Sequence, residues 1–364
     1  MSRIKILTIT TSGLGKKEGI STVILDYYSY FNKNEFQLDL IASGEYNYKL
    51  VTEFQSIGVN IRCLPSRKIS VIEYIKALIT LLKKEKYDAI YIHGSSSLMC
   101  IELIIAKIYK CNIRVVHSHN TTCDHKKLDK LLRPIFYRSY TKALACGTDA
   151  GKWLYGNRPF EIIKNGRNID IYKYDEKKRR EMRKKLGISD DTIVIGHVGN
   201  FNKQKNQAFL IDLMKENLKK DIPIKMYLMG EGTTKENIMA KAKQENVNGN
   251  ICFTGSINNV PDMLQAMDIM LLPSLHEGLP LVVVEWQMAG LPCIVSDAVT
   301  RECAYTDLVC FLPLDNLAVW SKKITTLKIC NRSAVSELAI QKARENGFDL
   351  KMNAQQLQQY FVQK

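Results

Sequence analysis

DIMLLPSLHEGLPLVVVEWQMAGLPCIVSD, residues 268–297, holds an apolar run ending at Leu272, a loop carrying Glu277 and Gly278, the helical run LVVVEWQMA behind Pro280, and a second apolar run after Gly290. Short apolar runs without polar alternation suit strands buried on both faces, and a helix between two of them is the unit of a parallel sheet. Pro280 is expected at the first helical position, where its missing N–H costs nothing. The free amides of Gly278, Leu279 and the first helical turn then make an anion site favoured by the helix dipole. A diphosphate fits there. Glu285 lies roughly 7 Å beyond Pro280 at ~1.5 Å per residue, about the distance from a diphosphate to its ribose, whose hydroxyls a carboxylate can accept. Glu277 would face the other side, where a donor sugar would sit.

The same alternation fills the chain. Strand runs stand near residues 4–9, 37–41, 59–63, 88–92, 112–117, 142–146 and 161–163, then at 192–199, 222–230, 250–255, 267–273, 291–297 and 309–313. Helical patterns separate them, so the fold class is α/β, two Rossmann-like doubly wound parallel-sheet domains expected to face each other across a cleft. The boundary falls in NGRNIDIYKYDEKKRREMRKKLG (165–187), where a turn signal meets the densest charge run, itself read as a solvated helix. Ligands in such sheets sit outside the carboxyl ends of the strands, which directs attention to TSGLGKKEG, HGSSS, HSHN, GNFNKQKN and PSLHEGLP.

Composition narrows the function classes. The 364 residues, 46% hydrophobic and 24% charged, contain no run of the ~20 apolar residues that a membrane span needs. MSRIKILTITTSG reads as a strand entering a glycine turn, not as a signal peptide, which implies a cytoplasmic chain. Ten cysteines without a CxxC leave no zinc ribbon or thioredoxin-type site, and most are expected as small buried hydrophobes. The net charge of +15 is uneven: 25 basic against 14 acidic side chains in residues 1–165, and 27 against 23 beyond. Phosphorylated small molecules or an anionic membrane suit such a half; nucleic acid does not, for want of an aromatic stripe, zinc finger or helix-turn-helix signature. Gly13 and Gly15 are followed by Glu18 where a dinucleotide fingerprint needs a third glycine, and no P-loop motif occurs. The six histidines include no helical H-x3-H pair and no carboxylate at ligand spacing, so neither a metal site nor a cofactor is expected. A glycosidase pair is disfavoured because Glu285 falls on a helix beside the phosphate site instead of across a sugar from Glu277.

Glu277, set in P-S-L-x-E-G-L-P, and Glu285, with seven residues between them, resemble the E-x7-E signature of the family 4 retaining glycosyltransferases. The resemblance covers nearly the whole chain. KILTI with its glycine loop, RVVHSHN, IIKNGRNID, IGHVGNFNKQKNQAFLIDL, YLMGEG and FTGSINNVPDMLQAMDIMLLPS are similar to the family's motifs in the family's order. HSHNT, ACGTDAGKWLYG and QKNQ look most like the branch that builds capsular and exopolysaccharide repeat units. The resemblance implies a GT-B fold: an acceptor domain at 1–168, a nucleotide-sugar donor domain at 169–345, and a final helix at 346–364 packing back toward the first domain. It implies that Lys205 neutralises the leaving diphosphate, that His119 approaches the donor sugar, and that Gly15, Gly19 and Gly230 bring backbone close to the ligand. His93 and His117 are assigned to the acceptor side. Two positions depart from the pattern. Asn200 stands where the family has an arginine, leaving half of the cationic clamp missing, and Glu18-Gly19 replaces Gly-Gly.

The activity so implied is metal-independent, retaining transfer of a hexosyl or N-acetylhexosaminyl group from a nucleotide diphosphate sugar, a UDP-sugar first, to a lipid-linked oligosaccharide. The alternative is a non-catalytic sugar-nucleotide-binding partner subunit of another transferase. A lipid-linked acceptor implies docking at the inner face of the membrane. Segments 71–86 and 125–142 set apolar residues beside basic clusters, with Lys126, Lys127, Lys130 and Arg133 as the candidate contacts and 71–86 taken alone better read as a core helix.

Overall fold

The computed structural model describes residues 3–14, 19–220, 222–327 and 331–362. The chain divides into two compact units, Met1–Gly166 with Asp349–Lys364, and Arg167–Phe348. Strands β1 (Ile4–Thr10), β2 (Phe36–Ser43), β3 (Val59–Leu64), β4 (Ala89–Gly94), β5 (Ile113–Ser118), β6 (Lys142–Ala145) and β7 (Glu161–Ile162) form the first unit's sheet. The second unit holds β8 (Ile193–Val198), β9 (Ile224–Met229), β10 (Ile251–Gly255), β11 (Ile269–Leu272), β12 (Cys293–Ser296) and β13 (Val309–Leu312).

Both sheets are parallel throughout, in the orders β3-β2-β1-β4-β5-β6-β7 and β10-β9-β8-β11-β12-β13. The expected doubly wound α/β architecture is therefore present. Its physical basis is the two-residue side-chain period of strands whose two faces are both covered. Ile6, Leu38, Leu40 and Val115 enter one core of the first unit, whereas Leu7, Ile41, Ile90 and Val116 enter the other. The second unit repeats the device, with Val194, Met270 and Val295 on one face and Ile195, Ile269, Leu271 and Ile294 on the other.

The last helix, Leu350–Val362, lays Leu350, Ala354, Leu357 and Phe361 into the first unit's core as one helical stripe. Full burial of a Leu or Phe side chain contributes about 1.5–3 kcal/mol, enough to hold a separate segment in place. The basic helix Glu176–Lys185 is only partly the solvated helix its composition suggests. Arg179 and Arg183 both reach Asp268, and together they cover the Gln265, Ala266 and Met267 carbonyls left open at the end of the helix Val260–Ala266. Among the nine described cysteines only Cys100, Cys111, Cys293 and Cys303 are buried, so the expectation that most are interior fails.

Strand order reverses between β1 and β4 and again between β8 and β11. At such a point neighbouring connections leave toward opposite faces and open a crevice beyond the carboxyl ends of the strands. The loops after β8 and β11, which carry Lys205 and Glu277, leave the two strands that flank the second of these points.

Candidate active site

In the second unit, the loop after β8 and the loop after β11 are fastened to each other. Leu275 donates its amide to the Gln204 carbonyl at 2.8 Å, the Gln204 amide donates to the His276 carbonyl at 2.8 Å, and Asn206 donates to the Pro273 carbonyl at 3.2 Å. At the centre of this seam Lys205 Nζ donates to Glu277 Oε1 at 2.6 Å, with side chains only 16% and 10% exposed. A lysine has three donors, so this bond fixes the ammonium and leaves others for a ligand. Glu277 is also held by a backbone bridge to Val299.

Gly230 and Gly199 explain how the loops come so close. Gly230 has φ +148°, and a Cβ there would lie 2.1 Å from the Gly199 carbonyl oxygen. The Gly199 amide donates to Met229 O at 3.0 Å, so only a residue without a side chain lets the β9 turn press on the β8 loop that carries Asn200 and Lys205. Asn200 is exposed and its carbonyl accepts from Gln207 Nε2 at 3.0 Å. His197, inside β8, is a buried histidine bonded to the Leu271 carbonyl at 2.9 Å.

The helix after Glu277 runs Leu281–Met288. Pro280 is therefore its N-cap with extended ψ 96°, one position earlier than the sequence reading placed it. The displacement matters chemically, because a proline N-cap supplies no side-chain acceptor for the Leu281 and Val282 amides, while the Val283 amide donates to the Pro280 carbonyl at 3.0 Å. Gly278 is exposed with open space where a side chain would stand, Leu279 is half-buried and Pro280 is buried.

Glu285 sits on the same helix but is buried, and its Oε1 accepts from Arg167 Nε at 2.6 Å. Burial raises its pKa, with Arg167 and a hydrogen bond from Tyr172 pulling the other way. Arg167 was not among the sequence candidates. The signal was present in the NGRNID segment, but nothing local says that residue 167 meets residue 285.

In the first unit, His93 ends β4, His117 lies opposite it on β5, and His119 follows just beyond β5. His93 Nδ1 and His119 Nε2 are 2.9 Å apart, and Tyr91 Oη and His117 Nδ1 are 2.6 Å apart. The two rings assigned to the acceptor side, His93 and His117, are wholly buried among Tyr91 and one another, and of the three only His119 is partly exposed. Burial pushes the His119 pKa down to about 4 and lowers those of His93 and His117. The three imidazoles gather across two strands, one ring nitrogen of each within 4.8 Å of the other two, a closeness that spacing along one helix does not reveal. Gly19 opens the helix Gly19–Ser29 with nothing near its missing side chain, while Gly15 and Glu18 lie outside the described residues.

No described helix is long and apolar enough to cross a membrane. The helix Lys126–Phe136 buries only Asp129 and Phe136, exposes Leu128, Leu131 and Ile135 along one side, and leaves Lys126, Lys127 and Lys130 in solvent. Arg133 departs from the expected basic surface. It donates to Asp129 at 2.8 Å and to the Trp153 carbonyl at 2.9 Å, and so belongs to the scaffold. The helix Val71–Glu85 buries Tyr74, Leu78 and Leu82, a core stripe.

Comparison with known proteins identifies the family and the fold. Residues 17–170 match the family model described as Glycosyltransferase Family 4, and residues 178–306 match that described as Glycosyl transferases group 1. EpsF of Bacillus subtilis (strain 168), which carries a provisional glycosyltransferase name, is 28% identical over 350 residues, spanning 92% of this chain and 91% of that protein. The UDP-Gal:alpha-D-GlcNAc-diphosphoundecaprenol alpha-1,3-galactosyltransferase of Escherichia coli is 28% identical over 321 residues, 83% of this chain and 81% of its own. Among solved structures, Alr3699/HepE of Anabaena, crystallised with UDP, superposes with a TM-score of 0.77 at 17% identity, covering 99% of this chain and 100% of that one. The pair of parallel α/β units is thus the GT-B architecture. With one model on each unit and relatives matched over most of their length, the chain belongs to the family 4 glycosyltransferases.

Proposed function

We propose that the protein transfers a hexosyl or N-acetylhexosaminyl residue from a UDP-sugar to a lipid-linked oligosaccharide during capsular or exopolysaccharide assembly, with retention of anomeric configuration. The observation that carries the reading is the Lys205–Glu277 pair beside the uncapped start of helix Leu281–Met288, at the second unit's strand-order reversal. A fixed cation beside the Leu281 and Val282 amides supports a diphosphate site there. The Escherichia coli relative, whose name specifies a UDP-sugar donor and a diphosphoundecaprenol-linked acceptor, supports the donor and acceptor classes. The E-x7-E resemblance supports retention.

In this reading the diphosphate lies along the backbone of Gly278, Leu279 and the first helical turn, with Gly19 and Gly230 assigned to close backbone approach. Lys205 meets negative charge as it builds on the leaving phosphate, which lowers the barrier because that charge is larger in the transition state than in the bound donor. Glu285, oriented by Arg167, accepts the ribose hydroxyls. Glu277 holds the donor sugar through its remaining acceptor positions, and His119 is assigned to the same sugar. The acceptor oxygen bonds to the anomeric carbon on the face from which the phosphate oxygen departs, and the acceptor proton passes to that phosphate. Charge neutralisation by Lys205 and helix amides lets this transfer run without a divalent ion at the diphosphate, and compensates for the neutral Asn200. The exposed apolar row Leu128, Leu131 and Ile135 beside three lysines is assigned to the inner membrane surface, where a lipid-linked acceptor is met.

The test is UDP release by the purified chain with a panel of UDP-sugars and a synthetic polyprenyl-diphosphate-linked sugar, with the product's anomeric configuration read by NMR. Turnover that disappears in Lys205→Met is the expected result. A chain that binds UDP yet releases none from any donor in the presence of acceptor would support the partner-subunit reading instead.

A further inference from the structure

His93, His117 and His119 do more than the transfer reading asks, since that reading uses His119 alone. The geometry points to a binding site for one divalent transition-metal ion, zinc before others, held by these three imidazoles with a fourth position open on the side of His119.

The placement follows from the sheet. His93 and His117 are register partners on adjacent parallel strands, and His119 is the next residue but one after His117, so all three rings emerge toward one face. One ring nitrogen from each lies within 4.8 Å of the other two, and ring centroids are 4.4 to 5.5 Å apart. Nitrogens bound to zinc at ~2.0–2.1 Å in a tetrahedron stand about 3.4 Å from one another. The 2.9 Å contact between His93 and His119 has to open slightly, and a pair at the 4.8 Å limit has to close by about 1.4 Å, changes of the size that side-chain rotation supplies.

Two further observations point to a ligand. The Nε2 atom of His117 is buried and lacks a hydrogen-bond partner among the described residues, which is rare for a buried polar atom and is relieved by a bound ion, whereas His93 turns Nδ1 toward His119 and would ligate through that nitrogen. Tyr91 Oη, 2.6 Å from His117 Nδ1, can take the proton of that nitrogen and turn the other lone pair toward the cluster, the arrangement that orients metal-bound histidines. Burial also keeps the rings neutral near pH 7, so an ion does not have to displace protons. A ligand set of imidazole alone suits zinc, nickel or copper and is a poor match for magnesium or calcium, which take oxygen. The partial exposure of His119 provides the way in and leaves the fourth position for water or an exogenous group.

The experiment uses the full, untagged chain, stripped of metal. Titration with zinc chloride followed by calorimetry should give one ion per chain with micromolar or tighter affinity, and cobalt chloride should give the strong visible absorption of four-coordinate cobalt. His93→Gln and His117→Gln should each weaken binding by more than tenfold, with His125→Gln, an exposed histidine elsewhere, binding as wild type does. Thermal melts establish that each variant is folded; if the two buried positions do not tolerate glutamine, His119→Gln carries the same test. No zinc uptake at micromolar concentration, uptake unchanged in every folded variant of the three, or cobalt with only the weak absorption of six-coordinate ions would overturn the assignment. None of these readouts depends on sugar transfer.

Discussion

Removing the Arg167 side chain leaves the Glu285 carboxylate where it cannot stay charged at little cost. The pair is 2.6 Å apart, with side chains 20% and 9% exposed. At an effective dielectric of ~20 the gross attraction at such a distance is about 6 kcal/mol, much of it offset by desolvation, and deleting one partner of a buried pair typically costs about 3–5 kcal/mol. Glu285 has an escape, which is to take a proton. Neutralising a carboxyl of ordinary pKa at pH 7 costs about 3.7 kcal/mol at about 1.36 kcal/mol per pH unit. Burial already raises the Glu285 pKa, so the loss stops below that figure. Arg167→Leu should then destabilise the second unit by about 2–3.5 kcal/mol, a fall in Tm of roughly 5–12 °C for a unit of this size. The sign with pH is fixed. In the variant the folded-state pKa of Glu285 lies above its unfolded value, so its contribution is kept at low pH and lost as pH rises through the folded pKa. Calorimetric melts at low and high pH should show a larger deficit at the higher pH, and Arg167→Leu/Glu285→Gln should recover most of it. UDP affinity should fall at neutral pH and return in part as the carboxyl is deprotonated. A single variant within about 2 °C of wild type at both pH values, or a deficit that shrinks as pH rises, would refute the reasoning.

Glu285→Ala should weaken binding of free UDP, whereas Glu277→Gln should mainly lower turnover; calorimetry that finds equal affinity losses would contradict the assignment of the two carboxylates to ribose and sugar. Gly230→Ala puts a Cβ 2.1 Å from the Gly199 carbonyl at φ +148°, and should destabilise the second unit by more than ~3 kcal/mol, checked by chemical denaturation. Because burial depresses the His119 pKa from 6.5 to about 4, the folded state binds fewer protons than the unfolded one between these values, and stability present above pH 6.5 is lost as pH falls. That histidine alone contributes a loss of about 2 kcal/mol at pH 5, so melts should drop from pH 7 to 5 and do so less in His119→Gln; a flat profile would count against the buried cluster. Cosedimentation with liposomes should rise with anionic lipid, fall with salt, and drop about a hundredfold when Lys126, Lys127 and Lys130 become Ser, at about 1 kcal/mol per lysine. Arg133 is kept in that variant because its loss would unfasten Asp129, and binding indifferent to lipid charge would exclude this helix as the docking face.

The two doubly wound sheets were legible in the sequence because the central strands, such as β1, β4, β11 and β12, are short runs whose burial on both faces is written into their own residues. Ile6 and Leu7 enter opposite cores simply by being adjacent. The loop and helix around Glu277 and Glu285 were legible for the same reason, since both lie in one strand–loop–helix unit with fixed rise per residue. Tertiary structure decided what those carboxylates touch: Lys205 is 72 residues from Glu277, and Arg167 is 118 residues from Glu285. It also turned an unremarkable set of histidines into a cluster. A period along one element constrains only that element, while a parallel ladder sets residue 93 opposite residue 117 through a crossover helix whose length leaves no trace in the spacing. Arg133 and Arg183 show the converse limit, for charge reads as solvent-facing in a sequence, and only the fold shows which open carbonyls and carboxylates it is needed to satisfy.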